Sequence, residues 1–73
     1  MSDAKIVLEN LLDKSILIIV RWDIRIKGTL KGFDNHLNVL LTDAEEIIDE
    51  TKSRKLGTIV IRGDSITYIY AVE

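Results

Sequence analysis

The chain has no cysteine, so neither a disulfide nor a thiolate metal site can staple its fold. It has no proline either, and no linker marks off a second domain. No apolar run approaches the ~20 residues of a membrane span, and no signal peptide is visible. A cytoplasmic protein without a membrane partner is therefore expected. Basic excess is also missing: the net charge is −2 and the pI about 5.3. That balance argues against a nucleic-acid binder as a whole, but leaves room for a local basic site. What the chain does have is 47% hydrophobic residues in 73 positions, too many for disorder and enough for one modest core. A domain this small with no staple often gains stability by oligomerising.

Charge is patterned rather than spread. "DAEEIIDE" (43–50) is acidic, while "RIK", "LKG" and "KSRK" are basic. Each run alone reads as a solvated loop or strand edge.

"SDAKIVLENLLDK" (2–14) predicts a short helix, about 3–13, capped by Ser2 or Asp3. Ala4, Val7, Leu8 and Leu11 fall on one stripe and should dock it on the core. From Ser15 the texture turns to strands: "SILIIVRW", "DIRIKGTLKGF", "NVLLTDAEEII", "LGTIVIR" and "SITYIYAV". "DETKSRK" (49–55) reads as a polar loop. Gly28 and Gly32 lie inside the second strand, where glycine often marks a bend or bulge. Leu30 and Phe33 are an odd number of residues apart, so pointing both inward requires a bulge near Lys31–Gly32. A helix followed by five short, bent antiparallel strands predicts a mainly β fold, a small barrel of the SH3-like or OB kind. "TIVI" and "ITYIYAV" are apolar on both faces, although such a barrel has one inside. Their second face and open edge call for a partner, and head-to-tail pairing of copies closes a ring if the rotation closes.

"GFDNHLN" (32–38) gathers Asp34, Asn35, His36 and Asn38 at one turn, and His36 is the only histidine. Asp and Asn before a strand are favoured turn formers, so these residues alone read as turn chemistry. "RGD" (62–64) is likewise weak alone, and Gly63 is expected to supply a positive φ in a hairpin.

Together the two stretches carry a resemblance. "GTLKGFDNHLNVLLTDAEE" resembles the first signature of Sm and Sm-like (Lsm) proteins, and "IVIRGDSITYI" resembles the second. They occur in order, joined by a short loop. The likeness, strongest to the archaeal Sm-like proteins, covers nearly the whole chain: a single Sm-like domain over 1–73, with the first motif about 15–48 and the second about 56–72. It implies the Sm fold, an N-terminal helix and a strongly bent five-stranded antiparallel SH3-like barrel. It implies rings, usually of seven copies and sometimes six, built by pairing the fourth strand with a neighbour's fifth. It further implies single-stranded, uridine-rich RNA bound around a central pore. No cofactor and no metal are expected.

Carried over by position, the resemblance makes His36 the residue stacking on a base. Asn38 hydrogen-bonds the uracil edge and Asp34 buttresses the turn. Arg62 lies on the base's other face, and Gly63 and Asp64 complete the second turn. In a ring, Arg62 and Lys31 would repeat around one pore, so a local positive potential could oppose the net charge. One departure stands out: where the family usually has a glycine between the first two strands, this chain reads "VRWDIR", with Trp22 and Asp23. Trp22 is expected to be an exposed aromatic on the ring's rim.

The leading functional expectation is a non-enzymatic RNA-binding ring, a scaffold or chaperone in RNA processing. A second is an acid–base ribonuclease using His36 with Asp34 or Asp64, thin because cleavage near neutral pH usually needs both an acid and a base. A third is a protein-interaction barrel without nucleic acid. A metal held by Asp34, His36 and Asp64 has no ligand spacing in its favour.

Overall fold

Alternating branched apolar residues dictate the core. In the computed structural model, which describes residues 3–72, Ile16 and Ile18 of strand β1 (Ser15–Val20) are fully buried. Ile26 and Leu30 of β2 (Ile24–Phe33) face the same interior, as do Val39, Leu41 and Ala44 of β3 (Val39–Ile47). Ile61 of β4 (Ser53–Ile61) and Leu8 of the helix α1 (Asp3–Leu11) complete it. With β5 (Ile66–Ala71), the strands form one antiparallel sheet in the order β4-β3-β2-β1-β5. The expected mainly β architecture, a helix followed by five bent antiparallel strands, is the one observed.

The bend comes from bulges. Leu30 pairs with Leu41, but Gly32 pairs with Leu40, leaving Lys31 as the extra residue of β2. This is the bulge that the Leu30–Phe33 spacing requires. A second bulge lies on β3 opposite Gly28, around Asp43, whose φ is 52°. It shifts the buried parity from Leu41 to Ala44. Gly28 permits it by close approach: a Cβ there would stand 3.2 Å from both the Ala44 Cα and the Thr42 carbonyl oxygen.

The helix ends at Leu11, earlier than expected. Asp13 then takes a left-handed φ of 67°, and its N–H donates to the Leu30 carbonyl at 2.7 Å. That bond fixes the chain on β2 as it enters β1. Only Leu8 and Leu11 of the expected stripe dock; Ala4 and Val7 stay exposed on an apolar groove of about 380 Å³ shared with Leu37, Ile66 and Tyr68. Of the two expected caps, Ser2 lies outside the described residues and Asp3 is the helix's first residue. β4 starts at Ser53, inside the expected 49–55 loop, because Ser53, Arg54 and Lys55 pair with Ile47, Glu46 and Glu45. Arg54 adds a salt bridge to Glu46 at 3.0 Å.

The strands apolar on both faces, β4 and β5, are the two edges of the sheet. Val60 on β4 is 66% exposed and Tyr68 on β5 is 57% exposed, with the Tyr68 and Tyr70 rings stacked 5.9 Å apart. Among the described residues, no helix is long and apolar enough to cross a membrane.

Candidate nucleic-acid interface

The β2–β3 turn is built around one carboxylate. Asp34 Oδ1 accepts the backbone N–H of His36 at 2.9 Å and that of Asn38 at 3.1 Å. Its Oδ2 accepts the Asn38 side-chain Nδ2 at 2.9 Å. Backbone bonds from Leu37 to Asp34 and from Asp34 to Asn38 close the loop. A carboxylate with three donors is stabilised in its charged form. Asp34 accordingly titrates below its ordinary 3.8: the Asn38 side-chain bond is the largest cause, with the backbone N–H bonds and the charge of His36 adding to it against some desolvation.

The β4–β5 turn is equally tight. Ser65 N–H donates to the Arg62 carbonyl at 3.0 Å, and the turn Gly63–Ser65 leads straight into β5. The two turns meet through Asn38, whose Oδ1 accepts the Gly63 N–H at 2.8 Å. A Cβ on Gly63 would collide with the His36 carbonyl oxygen and lie 2.8 Å from the Leu37 carbonyl oxygen. Gly63 has no positive φ, so the expected reason for this glycine was wrong. Its role is close approach: backbone passes over backbone where no side chain fits.

This contact brings His36, Asn38, Arg62 and Asp64 together around one open cleft of about 350 Å³. Asp34 is not in its lining and works from behind the turn. Arg62 pairs with Asp64 at 3.0 Å, both side chains being exposed, which orients the guanidinium while leaving its face open. The His36 ring is exposed and makes no hydrogen bond among the described residues. Asn38 has spent one lone pair and one amide hydrogen internally and keeps one of each. The cleft therefore offers two flat polar groups, one donor, and acceptors on Asn38 and Asp64.

Other expected residues go elsewhere. Lys31 is engaged by Asp13 at 2.8 Å and is not in the lining. Asp34, His36 and Asp64 form no metal-holding group among the described residues. Two contributors escaped the sequence reading. Leu37 adopts a φ of 61° and turns its carbonyl toward Gly63. Arg21 Nη2 donates to the Asp64 carbonyl at 3.0 Å, tying the β1–β2 turn to this site. Neither residue type signals such a role.

The LSM domain model matches residues 6–71. An Sm-like protein of Aeropyrum pernix is 49% identical over 57 residues, 78% of this chain and 73% of that one. The crystallised SmAP1 heptamer of Pyrobaculum aerophilum superposes with a TM-score of 0.91 at 37% identity, covering 100% of this chain and 97% of that one. The Sm protein of Pyrococcus abyssi, solved in complex with a uridine heptamer, gives a TM-score of 0.85 at 41% identity, covering 93% of this chain and 96% of that one.

Proposed function

The chain belongs to the LSM domain family, and on that premise we propose that it forms a ring that binds single-stranded, uridine-rich RNA. The observation that carries the reading is the Asn38–Gly63 bond, which brings a potential stacking ring, a guanidinium and edge-reading groups to one cleft. Unpaired bases are read in this way, by stacking on flat side chains and by hydrogen bonds to their edges. His36 and Arg62 supply planes. The remaining lone pair of Asn38 Oδ1 suits the uracil N3–H, and its remaining Nδ2 hydrogen suits a flanking uracil carbonyl. Cytosine presents an unprotonated N3 beside an amino group, so the same acceptor meets a lone pair. A site left with unpaired polar groups rejects the wrong base more strongly than stacking alone could. The uridine heptamer held by the Pyrococcus abyssi protein supports the ligand class.

The two open edges allow head-to-tail association, with β4 of one copy pairing to β5 of the next, and this closes a ring when the rotation closes. Seven copies are proposed, in line with the heptamer of the Pyrobaculum aerophilum relative. The ring repeats Arg62 around one axis, which raises local positive potential despite the net charge of −2. Binding without cleavage makes the protein a scaffold or chaperone for RNA processing. Competition binding of oligo(U) and oligo(C) at moderate salt tests this. Preference for oligo(U), with the RNA recovered intact, is expected; equal binding, no binding or cleavage would overturn it.

A further inference from the structure

Trp22 has no use inside the fold. It is 88% exposed, and it takes φ 68°, ψ 24°, a left-handed conformation that bulky side chains rarely adopt. Asp23 follows with φ 57°, so glycine or asparagine would suit this turn better than the residues present. A large apolar ring kept in solvent on an unfavourable backbone points to a role outside the chain's own packing.

Its position says which role. Val20, at the start of the turn, pairs with Ile24 on β2 and also with Ile66, the first residue after the Gly63–Ser65 turn. Arg21 then clamps the Asp64 carbonyl at 3.0 Å. The β1–β2 turn is thus fastened to the Arg62–Asp64 turn, and Trp22 is the residue that directly follows the clamping Arg21. Arg21 and Arg25, both exposed, lie one and three residues from it, with the exposed Asp23 between Trp22 and Arg25.

Resting on the RNA-binding reading above, we propose that Trp22 is a second stacking platform, which takes the base of a nucleotide adjoining the one in the cleft. Every base has a π-face, so this platform adds affinity without choosing between uracil and cytosine. Arg21 keeps the platform in register with the cleft, and the neighbouring guanidinium groups meet the intervening phosphate. The base readout stays with Asn38, while Trp22 extends the length of strand the site holds.

Trp22 is the only tryptophan, so its emission reports on this site directly. The experiment titrates intact protein with uridine monophosphate and with oligo(U) of about ten nucleotides, a length within the span such single-strand sites cover. Trp22→Phe and Trp22→Gly are compared with wild type; glycine fits the turn's backbone, so a folding defect does not confuse the result. The oligomer should quench the emission, and Trp22→Gly should lose roughly five- to tenfold in oligomer affinity, the lower end of what a stacked base contributes. Trp22→Phe should keep most of it, and monophosphate binding should be unchanged by either variant. Oligomer binding that leaves the emission and the Trp22→Gly affinity untouched overturns the platform while the RNA-binding reading stands. Emission that responds to protein dilution but not to RNA assigns Trp22 to a protein contact and also overturns it. No oligomer binding at all removes both.

Discussion

Asn38 Oδ1 accepts the Gly63 N–H at 2.8 Å, joining two turns that lie 25 residues apart in the chain. The same side chain donates to Asp34, so one amide holds both halves of the site. Asn38→Ala should leave the half-buried Gly63 N–H without its partner, and such a loss costs roughly 1–3 kcal/mol. Urea unfolding should show that decrease. Any flattening of the preference for oligo(U) should be read only on variants whose assembly is intact.

Gly63→Ala should do comparable harm for a different reason. Its Cβ meets backbone oxygens, which cannot move aside as a flexible side chain would, so the turns must separate. Overpacking of this kind costs about 1–3 kcal/mol. Gly32→Ala is the control: the nearest atoms, on Leu40, are 3.9 Å from its Cβ, and stability should barely change in the same urea assay.

Acid should loosen the β2–β3 turn. The Asp34 carboxyl titrates below its ordinary 3.8, chiefly through the Asn38 bond. A carboxyl lowered by folding contributes stability that is present above its unfolded value and lost as pH falls through its folded value. Asp49, lowered chiefly by the Thr51 N–H, acts in the same window. The urea midpoint should therefore hold steady from pH 6 to about 4 and fall below that. Asp34→Ala should be less stable at pH 6 and show a shallower fall, with the Asp49 share remaining.

Charge on β5 should separate assembly from folding. Ile69 packs against the core, whereas Tyr68 stands out at 57% exposure. Ile69→Glu should unfold the chain, while Tyr68→Glu should leave a folded protein of lower oligomeric mass. Circular dichroism and sedimentation together check both. A Tyr68→Glu protein that still sediments as wild type would exclude this face of β5 from the contact.

The fold was legible where residue type and spacing act locally. Alternation in "SILIIV" and "IRIKGTL" marks inward residues, and the odd Leu30–Phe33 spacing requires the bulge at Lys31. The two-sided apolar character of β4 and β5 calls for a partner, and the sheet order makes these two strands its edges. The polar start of β4 was not legible, since an exposed "SRK" lacks the alternation that reveals a half-buried strand. Half of the helix stripe misled because Ala4 and Val7 line a groove instead of the core. At the site, "DNHLN" and "RGD" announced turns, but residue type does not say which turn a polar group reaches. The Asn38–Gly63 and Arg21–Asp64 bonds each span more than twenty residues, and only the closed sheet brings their ends together. Gly63 was legible as a glycine that matters, though not as one required for close approach.

Native mass measurement with and without a uridine-rich oligonucleotide tests the central claim most directly, because it reads assembly and RNA binding at once. The account predicts a closed species of seven 8.3 kDa chains, which gains the mass of the oligonucleotide when oligo(U) is added and much less readily with oligo(C). A protein that stays a single 8.3 kDa chain, or a ring that takes up neither oligonucleotide, would contradict it.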